Sequence, residues 1–186
     1  MLDQLKTTTA NMGSLIDDLL NFARASTVPV KSTPVDLSAL AREIAGEFTR
    51  SGPTRKVRFQ IEDVPKVFAD TSLMRIVLDN LLRNSWKYTS HHARACIEFG
   101  VKQTLSADQA LGKLVYFVRD DGAGFDQSHT SRLFQPFERL HSKGDFPGTG
   151  IGLATVSRIL ARQGGFIWAE GCVEKGATFY FTLNSD

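Results

Sequence analysis

The feature that most constrains this chain is an acid placed where an apolar run ends and a glycine turn begins. Leu114-Val115-Tyr116-Phe117-Val118 reads as a buried strand, and Asp120-Asp121-Gly122-Ala123-Gly124-Phe125 follows it. A carboxylate at the end of such a strand loses most of its water and needs a hydrogen-bond donor. Further along, Gly148-Thr149-Gly150-Ile151-Gly152-Leu153 precedes a predicted helix over residues 154–162. Glycines there let backbone N–H groups approach an anion, and the helix N-terminus favours negative charge. A buried acceptor and an anion site joined by a polar segment, Ser142 to Pro147, describe a nucleotide pocket under a mobile lid. The exocyclic amine of adenine is a donor suited to Asp120; guanine presents an acceptor at the same place. Taken alone, Asp-x-Gly-x-Gly is also common turn composition.

A second constellation lies on a predicted helix from Thr71 to about Tyr88, with Asp70 as its cap. Asn80, Asn84, Lys87 and Tyr88 stand at i, i+4, i+7 and i+8 and share one face, while Met74, Leu78, Leu81 and Leu82 share another. Amide oxygens in line suit magnesium, which takes oxygen ligands and keeps bonds to phosphates and water; a solvated polar face gives the same pattern. Asp79, beside the stripe, is placed to orient a nucleophile or accept its proton, or is a plain surface acid. Phe134 and Phe137 read as anchors of the segment between the glycine clusters, and Arg139 as a phosphate contact. The four histidines, His91, His92, His129 and His141, have no metal-ligand spacing to Cys96 or Cys172 and read as surface residues.

Elsewhere the apolar periodicity predicts an amphipathic helix over residues 2–25. Leu5, Met12 and Leu19 alternate with Leu2, Ile16 and Ala23, Thr9 interrupts them, and Leu15, Leu20 and Phe22 widen the stripe. One helix cannot bury such a stripe alone, so it needs a partner: a second chain, or its own globular domain. Two prolines mark a linker before a second helix, which Asp36 or Ser38 caps and which runs to about Thr49. Strands are expected at residues 57–61, 66–69, 93–101, 114–118, 166–170 and 177–183, with a polar loop over 102–112. The fold class is α/β: a two-layer sandwich with a mixed, largely antiparallel sheet, helices on one face, and a long N-terminal helix before it. The glycine clusters lack the strand–turn–helix fingerprint of a doubly wound dinucleotide fold.

A net charge of +2 on 186 residues, without a basic run, argues against nucleic acid and anionic membranes as partners. No apolar run approaches the roughly 18 residues of a membrane span. Two isolated cysteines fit a reducing, cytoplasmic setting.

Taken together, the blocks resemble the catalytic ATP-binding domain of bacterial sensor histidine kinases. Residues 79–88 resemble the family's asparagine box, 120–125 its first glycine box, 133–139 its phenylalanine box, 148–153 its second glycine box, and 176–179 its terminal glycine–threonine strand. The run from Phe137 to Ala154 is similar to phytochrome-type kinases, and residues 12–20 to the second helix of the dimerisation and phosphotransfer hairpin. The resemblance implies three segments: hairpin helix 1–28, linker 29–36 and ATP-binding domain 37–186. It implies that Asp120, helped by Thr178, binds the adenine amine and that Gly122 and Gly124 let the base approach. Asn84 with Asn80 would hold magnesium, and Lys87, Tyr88 and Arg139 would face the phosphates. Gly148, Gly150, Gly152 and Leu153 would shape the lid, and Asp79 would be the acid. It further implies a homodimer and a response-regulator receiver domain as partner. No histidine precedes His91, so the phosphoacceptor is expected outside this chain, which should not autophosphorylate alone. A non-catalytic regulator, a related ATPase and a serine-directed kinase of the same fold are the alternatives.

Overall fold

The computed structural model describes residues 29–104, 113–140 and 146–184, together with residues 12, 13, 15, 16, 19, 20, 22, 23 and 27. Its centre is a five-stranded sheet in the order β2-β4-β5-β7-β6, built from β2 (Val57–Ile61), β4 (Ala95–Thr104), β5 (Lys113–Asp120), β6 (Ile167–Gly171) and β7 (Ala177–Phe181). Only the β2–β4 pair is parallel; the other three pairs are antiparallel. Three helices, α1 (Leu37–Ser51), α2 (Thr71–Tyr88) and α3 (Gly152–Arg162), close one hydrophobic core with this sheet. On the opposite face the described residues form a small cluster, Val115, Phe117 and Tyr180 with Trp168 against it. This is the two-layer, largely antiparallel sandwich expected from the sequence.

Strand alternation explains the two faces. Tyr116, Val118 and Asp120 project from β5 toward the helices, whereas Val115, Phe117 and Arg119 project away. The same period on β7 puts Phe179 and Phe181 in the core and Tyr180 outside it.

Two details differ from the sequence reading. The segment expected as a linker contains a strand, β1 (Thr33–Val35), which pairs antiparallel with β3 (Val67–Ala69) beside the main sheet. Proline without an N–H is compatible with such a two-stranded edge. The β4–β5 hairpin is also longer than expected, reaching Thr104 and Lys113, so the predicted polar loop begins as strand; residues 105–112 lie outside the described ones. At α1, Asp36 is the cap, accepting from Ala39 N–H at 2.9 Å, while buried Ser38 accepts from Val64 N–H.

In the N-terminal segment the described residues are helical, and Met12, Leu15, Ile16, Leu19 and Leu20 are 37–60% exposed. The stripe is therefore not buried by its own chain at these positions. Phe22 lies under the Arg158 guanidinium of α3, 4.8 Å away. Leu2, Leu5 and Thr9 lie outside the described residues. No described helix is long and apolar enough to cross a membrane.

Asp70 joins these parts. Its carboxylate accepts from Ser72 N–H, Ser72 O–H and Leu73 N–H at the start of α2, and from Lys31 N–H of the preceding segment. Burial alone would raise its pKa; the hydrogen bonds outweigh that and hold it below the ordinary range. Asp70→Ala is expected to destabilise the fold by about 1–3 kcal/mol at neutral pH in urea titrations. Because the folded pKa is depressed, that contribution is present above the unfolded value of about 3.9 and is lost as pH falls through the folded pKa.

Candidate functional site

Asp120 is 4% exposed, and its two oxygens have separate partners. Ser85 O–H, from the core face of α2, donates to Oδ2 at 2.9 Å, and Gly122 N–H donates to Oδ1 at 3.0 Å. Burial pushes this carboxyl up to about 6; the bonds from Ser85, Gly122 and the Ala177 backbone oppose the rise, and Asp121 adds to it. Burial thus works against its charge, and the hydrogen bonds favour the ionised form. With about four lone-pair sites and three donors, the carboxylate keeps acceptor capacity for a ligand.

The glycine turn after Asp120 is clamped between α2 and the β6–β7 loop. Ala123 N–H donates to Tyr88 O, and a Cβ on Gly122 would come within 2.6 Å of that same carbonyl. Gly124 has φ +60, and a Cβ there would overlap the Cys172 carbonyl oxygen. Only glycine meets both demands.

Tyr88 forms the wall of the pocket. Burial raises its pKa, the Arg139 charge lowers it and the Asp120 charge raises it further. Lys87 Nζ sits 4.2 Å from the Tyr88 ring centroid. Buried Phe146 packs edge-on against Tyr88 at 5.0 Å and stacks on His91 at 4.8 Å. Arg139 donates to Phe146 O and to Gly148 O. The end of the predicted lid is thus fastened to α2, and a Cβ on Gly148 would lie 3.2 Å from Lys87 Nζ. Residues 141–145, including His141 and most of the predicted lid, lie outside the described residues. His91 and His129 are exposed, as expected, although His91 is engaged by Phe146; His92 is half-buried.

The start of α3 faces the same space. It has no side-chain cap, so side chains leave its first-turn N–H groups available to an anion. Leu153 in that turn packs on the core, and Gly150 O accepts from Phe137 N–H. Asn80 reaches across from α2: its amide N–H donates to Ile76 O, and its Oδ1 would be 2.5 Å from a Cβ on Gly152. Asn84 follows one turn along, half-buried. Among the described residues no cluster of three or more His, Cys, Asp or Glu could hold a metal. A cation here would rest on amide oxygens and phosphates, a donor set that fits magnesium.

Three expectations need correction or completion. Thr178 does not join Asp120: the register pairs Asp120 with Ala177 and Arg119 with Thr178, so alternation sends Thr178 to the helix-free face. There its hydroxyl accepts from Arg119 Nε at 3.4 Å. Phe134 anchors its segment on the core, but Phe137 does not; it is 65% exposed with φ 65, its backbone shaped by the bond to Gly150. Asp79 lies on the flank of α2, where Arg83, one turn along, donates to both its oxygens. Sequence reasoning missed Ser85. Its signal was a serine four residues after Leu81, on the helix face that carries the core.

The sequence profile described as "Histidine kinase-, DNA gyrase B-, and HSP90-like ATPase" matches residues 69–186. The chain belongs to this family. Cyanobacterial phytochrome B of Nostoc sp. is 34% identical over 94% of this chain and 23% of its own length. The adaptive-response sensory kinase SasA of Synechococcus sp. (strain JA-2-3B'a(2-13)) is 31% identical over 98% of this chain and 48% of its own. The chain therefore spans less than half the length of these relatives. Among solved structures, full-length ShkA in complex with AMPPNP superposes with TM-score 0.73 at 24% identity, over 99% of this chain and 39% of that one. The catalytic domain of histidine kinase ThkA superposes with TM-score 0.64 at 24% identity, over 83% of this chain and 96% of that one. These two likenesses establish the fold of the family.

Two outcomes are expected. Gly124→Ala should lower stability by about 1–3 kcal/mol, because the Cys172 backbone must move; the urea midpoint measures it. For Asp120 the sign is opposite to that of Asp70. Its folded pKa is raised from 3.8 to about 6, so stability falls as pH rises between those values, and the ionised group costs on the order of 3 kcal/mol. Asp120→Asn should therefore be no less stable than the wild type at pH 7 and lose that advantage near pH 4, as read by thermal unfolding.

Proposed function

We propose that this chain is the ATP-binding catalytic portion of a two-component sensor histidine kinase. The observation that carries the reading is the buried Asp120, bonded to Ser85 and Gly122 at the end of a core strand, in a chain whose α3 starts without a side-chain cap beside Asn80. Family membership and the sensory-kinase relatives support the same reading.

In this mechanism the adenine amine donates to Asp120, the base lies close to the backbone of Gly122 and Gly124, and Tyr88 faces the phosphates. Lys87 supplies positive charge to the phosphates, and Arg139 does so when it leaves the carbonyls of Phe146 and Gly148. The N–H groups at the start of α3, reached past Gly148, Gly150 and Gly152, bind phosphate oxygens. Asn84 and Asn80 would hold magnesium through their amide oxygens; the ion would neutralise charge on the phosphates. Asp79 would orient a nucleophile only when its pair with Arg83 opens. Catalysis rests on positioning and charge stabilisation. The γ-phosphoryl passes to a histidine supplied from outside this sequence, then to an aspartate of a response-regulator receiver domain. The exposed stripe Met12, Leu15, Ile16, Leu19 and Leu20 supports dimerisation through the N-terminal helix. Free Cys96 and Cys172 support a cytoplasmic setting.

Asp120→Asn removes a charge-assisted bond worth roughly 1.5–3 kcal/mol, so ATP binding should weaken by about 10- to 150-fold in titration calorimetry. Unchanged affinity would refute the adenine assignment. Phosphohistidine formed on a histidine-bearing hairpin supplied in trans, with magnesium and ATP, tests the transfer itself.

A further inference from the structure

Ser85 is fully buried, one residue beyond Asn84, on the helix face shared with Leu78, Leu81 and Leu82. A hydroxyl among leucines is costly unless it is bonded. Its partner is Asp120 Oδ2, 35 residues away in sequence. We propose that Ser85 is a specificity-determining residue: by donating to Oδ2 it holds Asp120 as an ionised acceptor, so the pocket takes a purine bearing an exocyclic amine and rejects one bearing a carbonyl there. This inference rests on the reading of the pocket as a nucleotide site and assigns its base selectivity to a residue that does not touch the base.

The chemistry is a choice between acceptor and donor. Ionised, Asp120 can only accept, which matches an amine and opposes a carbonyl oxygen. Protonated, it carries one O–H that a carbonyl can accept, and discrimination weakens. Removal of water drives it toward the protonated form; Ser85 and Gly122 drive it back. The charges around it are mixed. Asp121 follows it on the same turn, and Tyr88 on α2 is near enough to feel the charges of both Asp120 and Arg139. Asp120 and Asp121 also border a polar depression with Arg119, Lys175, Glu98 and Glu170, which carries both signs of charge. Among the described side chains, Ser85 is the one that reaches Oδ2 as a donor.

The test compares binding of ATP and inosine triphosphate, in which a carbonyl replaces the amine, to the wild type and Ser85→Ala across pH 5.5–8.5. EDTA is present, so no divalent ion contributes. Loss of one bond to a charged acceptor should move the pH at which ATP preference fails upward by about one pH unit. At pH 6 the variant should bind ATP about fivefold more weakly than the wild type, and above about pH 8 the two should converge. Ser85→Cys, with a weaker donor, should fall between them and stands in if Ser85→Ala does not fold. Equal pH profiles of the ATP preference, or a weakening of both nucleotides that is uniform in pH, overturns the proposal as a merely structural role. A wild type that does not prefer ATP at pH 8 overturns the nucleotide reading beneath it, and the proposal with it.

Discussion

The site is organised around one carboxylate placed where burial disfavours its charge. Asp120 sits at the end of a core strand, where burial raises its pKa toward neutrality. Donors from different parts of the chain oppose that rise: a serine on α2, a backbone amide of the following turn and the Ala177 backbone on β7. Together they do not cancel it, and the pKa stays above the ordinary carboxylate range. Their convergence requires α2 to lie across the end of β5. The family fold supplies that crossing.

Helix α2 therefore has three duties along 18 residues. Its start is fixed by Asp70, which also ties down the chain that leads in from the N-terminal helix. Its middle buries Leu78, Leu81 and Leu82 and presents Asn80 and Asn84 to the other side. Its end meets the glycine turn through the Tyr88 carbonyl, and Arg55 secures it by donating to Trp86 O and Thr89 Oγ1. A shift at any one of these contacts moves the other two, because the helix is a rigid body. The same reasoning applies to the lid: Phe146, wedged between Tyr88 and His91, makes the position of the lid's end depend on that helix.

Much of this was legible in the sequence because it is written in local contacts. The caps Asp36 and Asp70, the helix spans, the alternation of the strands and the glycine clusters all depend on neighbours within a few residues. So did the burial of Asp120, since an acid closing an apolar strand has nowhere wet to go. The errors came where a neighbour had to be supplied by a distant segment. Thr178 was paired with Asp120, yet strand register gives that place to Ala177 and turns the threonine to the other face. Its aromatic ring makes Phe137 read as an anchor, but its backbone N–H is bonded to Gly150 O and its ring stays in solvent. The segment before α1 looked like pure linker because a strand of three residues has no signal until its partner, β3, is known.

By itself, then, the sequence determined the elements, their caps, the family and the buried acid, each a consequence of short-range pattern and composition. Only the tertiary structure decided the strand order, the face on which each side chain lies, and the meeting of Ser85 with Asp120. Those outcomes depend on contacts between residues far apart in the chain, and a pair 35 residues apart leaves no periodic trace in the sequence that joins them.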